Sequence, residues 1–307
     1  GGSLRLPANW CGIFTLKPSL GRVPIDPPYM GRAAGPMTRS VADASLMVQV
    51  LSQPDARDSM SLPAQDLDWA SVVATTSKHL QGLRIGLLLD AGCGLPVEDE
   101  IRTAVEAAAA LLEQAGARVT PMTSFLTREM LDGMDHFWRM RSWLDVQKLA
   151  LNQRERLLPF IRQWAESAAE FSGSHLFAAY AQTHATRVAT VAACSPFDYV
   201  ISPVAPNLPA PAEDASPTRD PLRPLEHIAF TVPFNMSEQP AASINCGYSR
   251  SGVLTMWVCC KWHALSSNCV RPSDPGPWTD QMADPDPGRG RQPPSEQSAA
   301  AARKMGA

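Results

Sequence analysis

Gly1-Gly2-Ser3-Leu4-Arg5-Leu6-Pro7-Ala8-Asn9-Trp10-Cys11-Gly12-Ile13-Phe14-Thr15-Leu16-Lys17-Pro18-Ser19-Leu20-Gly21-Arg22-Val23-Pro24 is the stretch on which the fold is read. A serine directly after two glycines has a chemical meaning of its own. Glycine takes up positive φ and lets the backbone come close to a bound molecule. Its N–H groups can then point at a developing oxyanion while the serine hydroxyl attacks a carbonyl carbon. Ser3 is therefore a candidate nucleophile, and Gly1 and Gly2 form a candidate oxyanion loop.

Outward from this segment the pattern alternates between strand and helix. Residues 16–23 read as a strand region ended by Pro24, Pro27 and Pro28. Thr38 or Ser40 can cap a following helix, with Asp43 in its first turn and Val41, Ala44, Met47, Val48 and Leu51 at helical spacing. A linker follows over residues 63–78. Residues 83–89 form an apolar run of strand length. Val97, Ile101, Val105, Ala108, Leu112 and Ala115 then mark one face of a long helix, stopped by Gly116 before a second strand at 117–120. A strand, an amphipathic helix and a strand predict a crossover with parallel pairing. Residues 127–193 are helical in pattern, with Trp138, Trp143, Phe160, Trp164, Phe171 and Phe177 as bulky members. These could line a substrate tunnel or a membrane-facing cap, but core packing is the ordinary use of aromatics. Residues 197–203 read as a strand entering a proline-rich loop. The fold expected is α/β, with a mixed, largely parallel sheet covered by helices.

Three separated stretches carry a family resemblance. The opening segment resembles the nucleophile segment of the amidase signature hydrolases: G-G-S-[IL]-R-x-P, then C-G, then L-K-P-[ST]-x-G-R-x-P. Gly35-Pro36-Met37-Thr38-Arg39-Ser40-Val41-Ala42-Asp43 matches G-P-M-x-R-S-V-x-D, and Asp55-Ala56-Arg57-Asp58 resembles its D-x-x-D continuation. Phe230-Thr231-Val232-Pro233-Phe234-Asn235 through Pro240-Ala241-Ala242-Ser243 is similar to F-T-x-P-x-N-x-x-x-x-P-A-x-S, a stretch that closes the family's substrate pocket. The order is that of the family, over residues 1–252.

The resemblance implies a partial amidase signature domain over 1–252. It implies hydrolysis of a carboxylic amide C–N bond through a serine acyl-enzyme, with a small-molecule amide as substrate and no metal or organic cofactor. Such enzymes use a Ser–Ser–Lys triad. Ser3 matches its nucleophile, and Gly1 and Gly2 match oxyanion-loop positions. The bridging serine, the base lysine and the acidic partner of the arginine matching Arg5 all lie ahead of the nucleophile in the family. Residues 1–307 are therefore expected to be an incomplete domain, inactive by itself. Lys17 matches a lysine that is not catalytic in the family, and an exposed lysine stays protonated and is no base. Cys11 reads as a small packed residue within the motif. Two rival readings stand beside the amidase. The glutamine-hydrolysing subunit of a tRNA amidotransferase shares the motifs and needs partner subunits, although Ser243-Ile244-Asn245-Cys246-Gly247 departs from its usual P-x-G. The other rival is a non-catalytic gene remnant or binding module.

Composition narrows the remaining classes. The 307 residues are 45% hydrophobic and 19% charged, as in globular proteins. A net charge of -3 gives no footprint for nucleic acid or an anionic membrane. No apolar run reaches the roughly 18 residues of a membrane span. Seven unevenly spaced cysteines do not form a secreted disulfide framework, so a cytoplasmic location is expected, with any targeting signal ahead of residue 1. No His and Asp can be placed beside Ser3 by spacing, and the G-x-S-x-G elbow is absent.

Beyond Gly252 the character changes. Family members continue with G-L-P-x-G-x-Q-x-x-G and a last helix, whereas this chain has Val253-Leu254-Thr255-Met256-Trp257-Val258-Cys259-Cys260-Lys261-Trp262-His263-Ala264. Methionine and tryptophan have single codons, so the bases around Met256 and Trp257 are nearly fixed. Read two bases further along, this stretch spells an amphipathic D-V-G-V-L-Q-V-A-R pattern like the family's last helix. Residues 253–307 are thus expected to be a disordered or out-of-frame tail. The last core strand would be absent, and removing the tail would hardly change stability. Cys259, Cys260, His263 and Cys269 can be written as a zinc cluster, but adjacent cysteines are poor partners for tetrahedral zinc, and no metal is assigned.

Overall fold

The computed structural model describes residues 2–65, 80–250 and 254–261, with Tyr248 and 254–261 described by backbone alone. The opening motif folds as a short helix, α1 (Arg5–Cys11). Pro7 fits there because the first N–H groups of a helix have no partner within it. Gly12 ends the helix at φ 65°: its N–H reaches Asn9 O at 3.3 Å, and the Ile13 N–H reaches Ala8 O at 3.0 Å. Only glycine takes this left-handed stop without strain. The strand expected over 16–23 lies earlier, as β1 (Phe14–Lys17), followed by the two-residue β2 (Met37–Thr38). Of the two candidate caps, Ser40 is used: its Oγ accepts the Asp43 N–H at 3.1 Å and starts α2 (Val41–Leu51). The linker expected over 63–78 falls almost wholly on residues outside the described ones.

The expected crossover is present. β3 (Arg84–Leu87) and β4 (Arg118–Pro121) pair in parallel, with Ile85 opposite Val119, and α3 (Asp99–Gln114) joins them. Four helices follow: α4 (Arg128–Gln147), α5 (Leu151–Arg154), α6 (Pro159–Glu166) and α7 (Gly173–Cys194). Gly133 lets α4 and α7 meet closely, since a Cβ there would lie 2.5 Å from Gln182 Cβ. The buried Arg139 pairs with Asp135, reaches Ser167 Oγ at 2.7 Å and Leu222 O at 2.8 Å, and so fastens α4 to its neighbours. Trp164 Nε1 donates to Asp135 Oδ1 at 2.8 Å and Trp138 packs on the main core. Phe177, by contrast, is 77% exposed, so the aromatic series is only partly core.

The chain then forms β5 (Tyr199–Pro203), α8 (Val232–Met236), β6 (Ala241–Tyr248) and β7 (Leu254–Lys261). One seven-stranded mixed sheet results, in the order β2-β1-β6-β7-β5-β3-β4. Its parallel part is β5-β3-β4, and the ladders from β5 through β7, β6 and β1 to β2 are antiparallel. The main core lies between the sheet and helices α4 and α8, around Leu88, Met134, Val200, Phe230 and Phe234. Each such fully buried side chain contributes about 2 kcal/mol.

β7 differs from the expectation of a tail without strand structure. Its backbone fills the slot between β5 and β6, with Val200 opposite Cys260 and Ala242 opposite Cys259. The reason is geometric: two strands left unpaired in mid-sheet present a row of N–H and C=O groups that any extended segment nearby will satisfy. The remainder of the segment in question, 262–307, lies outside the described residues. Truncation after residue 252 is therefore predicted to abolish the cooperative thermal melt and to produce aggregates in size-exclusion chromatography. A truncated chain that melts like the parent would show that β7 contributes nothing to the sheet.

Candidate active site

Ser3 lies in the turn immediately before α1 and is exposed. It borders a tight crevice, too narrow as it stands to admit a water molecule, lined by Gly2, Leu4, Arg5, Lys17, Ala33 and Asn235. Gly1 is outside the described residues. Gly2 is buried at φ 104°, and a Cβ there would lie 2.5 Å from Thr231 Oγ1 and 2.9 Å from Leu6 Cδ1. Both the backbone angle and the space demand glycine. The second glycine of the motif thus lets the serine turn lie directly against the Thr231 segment.

Arg5 anchors this arrangement. Its side chain is 0% exposed, and Nη2 donates to Thr231 O at 2.8 Å and to Asn235 Oδ1 at 2.5 Å. Asn235 Nδ2 in turn donates to Gly31 O at 2.7 Å. The first motif and the F-T-x-P-x-N motif, more than 220 residues apart, are therefore one hydrogen-bonded unit.

Two expectations are corrected. Lys17 is not exposed: it retains 2% exposure, its Nζ donates to Pro18 O at 2.9 Å, and it faces the crevice that holds Ser3. It is enclosed because β1 has neighbours on both sides, β2 and β6. Cys11 is exposed rather than packed, since α1 turns Arg5, Leu6, Ala8 and Asn9 inward and leaves Trp10 and Cys11 outside.

Near the Thr231 segment lies the 3₁₀ turn Glu226–Ile228. Burial pushes the Glu226 carboxyl up, but two bonds from Arg128 at 2.7 Å and one from Arg223 at 3.3 Å outweigh it and lower its pKa. This cluster ties α4 to the turn. Burial pushes the His227 imidazole down to about 4, and its Nδ1 is buried without a hydrogen-bond partner. Nothing in the sequence pattern singled out either residue. Burial also raises the Cys93 thiol to about 11. Among the described residues no group of three or more His, Cys, Asp or Glu could hold a metal ion. Of the zinc candidates, Cys259 and Cys260 lie on β7, where only backbone is described, and His263 and Cys269 lie outside the described residues. No described helix is long and apolar enough to cross a membrane.

The amidase family model matches residues 1–254, and the chain belongs to that family. A glutamyl-tRNA(Gln) amidotransferase subunit from Synechococcus sp. (strain CC9902) is 28% identical over 289 residues, covering 82% of this chain and 56% of that protein. Among solved structures, a bacterial aryl acylamidase of the amidase signature family superposes with a TM-score of 0.75 at 25% identity, over 88% of this chain and 59% of that one. The 6-aminohexanoate cyclic dimer hydrolase shares the fold, with a TM-score of 0.74 at 20% identity over 87% and 60%. The chain thus spans little more than half the length of the relatives it matches.

Gly2→Ala is predicted to cost about 2 kcal/mol or more, from strain at positive φ plus the clash with Thr231. Thermal melting measures this, and an unchanged melting temperature would contradict the fit at Gly2. His227 gives a pH prediction. Its folded pKa of about 4 lies below the ordinary 6.5, so the unfolded chain binds more protons between these values. The contribution is present above pH 6.5 and is lost as pH falls toward 4. Urea titrations from pH 7 to 4 should show a shallower loss of stability for His227→Gln than for the parent.

Proposed function

We propose that this chain carries the nucleophile and pocket wall of an amidase that hydrolyses a carboxylic amide through a serine acyl-enzyme. The observation that carries the reading is the family match over residues 1–254, together with the exposed Ser3 beside Arg5, Lys17 and Asn235. Ser3 Oγ attacks the amide carbonyl carbon, and its proton passes by way of a base to the leaving nitrogen. The C–N bond breaks and an amine or ammonia departs. Water then opens the ester, giving a carboxylate and restoring the serine. Backbone N–H groups of the Gly1–Gly2 loop would receive the oxyanion, and one such donor is typically worth about 3 kcal/mol in the transition state.

The base is a separate matter. Following the family resemblance, the bridging serine and lysine belong to the part of the domain that precedes the nucleophile. Residues 1–307 by themselves are then insufficient for turnover. Ammonia release from simple aliphatic and aryl amides tests this. The expected outcome is no turnover by the 307-residue chain, and turnover by a polypeptide extended with a relative's preceding segment. In the extended form Ser3→Ala should lower the rate by about 10³-fold or more. Ser3-dependent turnover by residues 1–307 would place the base among them, with Lys17 the first residue to substitute.

A second reading is favoured by one observation, the similarity to tRNA amidotransferase subunits. Here the substrate is glutamine and partner subunits complete the assembly. Glutaminase activity that appears only with those partners would select it over the free amidase.

A further inference from the structure

Two imidazoles from different helices meet in the helical layer, and neither lines the Ser3 crevice. His136 belongs to α4 and His175 to the first turn of α7, and His175 Nε2 lies 3.1 Å from His136 Nδ1. At that distance one nitrogen carries the hydrogen and the other offers its lone pair. Phe171 borders both rings, its centre 5.1 Å from that of His136 and 4.4 Å from that of His175. His136 is half-buried and His175 is exposed, so one side of the pair is open to water.

Both rings are held from their backbones outward. α4 and α7 approach closely at Gly133, and Gln182 Nε2 of α7 donates to Glu129 Oε1 of α4 at 2.9 Å. Ser172 Oγ accepts the His175 N–H at 3.1 Å and so fixes the first turn of α7. On α4 the neighbouring Asp135 is tied to Arg139 and to the Trp164 indole. Two imidazole nitrogens 3.1 Å apart span the gap between two ligands of one ion. With metal–nitrogen bonds of about 2.0–2.1 Å they subtend about 100° at the metal, between the square and tetrahedral angles. Burial holds the His136 imidazole below its ordinary pKa, while Asp135 and Asp132 pull it up and His175 and Arg139 push it down. That ring therefore keeps a lone pair available at neutral pH, where protons compete least with a metal.

We infer that His136 Nδ1 and His175 Nε2 together bind one divalent late transition-metal ion, of the class of Zn²⁺, Ni²⁺ and Cu²⁺, which bridges α4 and α7. Imidazole suits these ions, whereas Mg²⁺ and Ca²⁺ take oxygen ligands. Both rings bind as neutral imidazoles. The hydrogen between them moves to the far nitrogen of its own ring, leaving His136 with Nε2–H and His175 with Nδ1–H. Water completes the coordination on the open side. The ion binds the folded arrangement of the two helices and so stabilises it by mass action. The site is independent of the reading of Ser3.

Zinc chloride titrated into the metal-stripped 307-residue chain at about pH 7.5 tests this, followed by thermal melting and by proton–nitrogen correlation spectra of the imidazoles. Cysteine thiolates elsewhere can also take zinc, so the assignment is read from the rings themselves. The expected result is a higher melting temperature with zinc but not with magnesium, and metal on Nδ1 of His136 and Nε2 of His175. The loss of a supporting partner typically costs about 10–100-fold in metal affinity, and the loss of a ligand at least that. In His136→Gln and in His175→Gln the zinc concentration that shifts the remaining ring should therefore rise about tenfold or more. Binding should also be lost as the pH falls to about 5.5, where protons occupy imidazole nitrogens. Ring signals that zinc leaves unmoved, metal on the opposite ring nitrogens, or an unchanged affinity in both Gln variants overturns the proposal and leaves the pair a hydrogen bond between helices. If the half-buried His136→Gln melts lower without metal, the exposed His175→Gln and the ring spectra of the parent decide.

Discussion

A guanidinium with no exposed surface stands at the root of the helix that follows Ser3. Removing Arg5 from water costs several kcal/mol, and only well-placed acceptors offset it. Thr231 O and Asn235 Oδ1 are two of them, and both belong to the segment around α8. The burial is therefore tolerated in one relative placement of α1 and α8. A small displacement would leave a charge buried without its acceptors, a loss of about 3–5 kcal/mol. Through Asn235 Nδ2 the same unit reaches Gly31 and positions the loop bearing Tyr29 and Arg32. The wall of the crevice is thus held by one buried charge and the hydrogen bonds that compensate its desolvation.

The sheet holds the opposite wall. β6 leaves the α8 segment directly, and its first residues pair with β1, Ala241 opposite Lys17 and Ala242 opposite Leu16. A one-residue slip would turn Lys17 to the other face and take Ala242 out of its cluster with Phe14, Leu16 and Val48. The register that buries these apolar side chains is also the one that brings Lys17 to the crevice. β7 then separates β6 from β5 and joins the antiparallel half of the sheet to the parallel crossover of β3, α3 and β4. The site sits on the half whose strands are contributed by the motif segments themselves.

Periodicity and punctuation made the regular elements legible. The α3 face, the Gly116 stop and the two flanking apolar runs sufficed for the crossover, because an amphipathic helix between short strands has few alternatives. Ser40 was legible as a cap for the same local reason. The motif residues Ser3, Arg5 and Asn235 could be picked out in order, but their contacts could not. α1 was not legible, since a seven-residue helix containing Pro7 and bounded by Gly12 shows neither period nor propensity. Lys17 was misjudged because a lysine between a short apolar run and a proline carries no sign that strands lie on both sides of it. β7 was missed for the opposite reason: Leu254–Lys261 is a plausible strand by composition, but only the gap between β5 and β6 gives it a place.

What remained hidden is long-range electrostatics. Arg128 and Glu226 are separated by 98 positions and Arg141 and Tyr29 by 112, and no local rule links residues so far apart. Both pairs nevertheless use the same helix, α4. Its buried Asp135–Arg139 pair, clamped by Trp164, Ser167 and the Leu222 carbonyl, fixes how that helix is rotated. Burial raises the Asp135 carboxyl, partly offset by the hydrogen bonds from Arg139 and the Trp164 indole. The rotation of α4 then decides that Arg141 meets Tyr29 and that Arg128 meets Glu226. Ser3 and the residues that surround it come from motifs readable in the chain. The contacts that α4 makes across the chain are set by the packing of that one helix, through the buried Asp135–Arg139 pair and its partners.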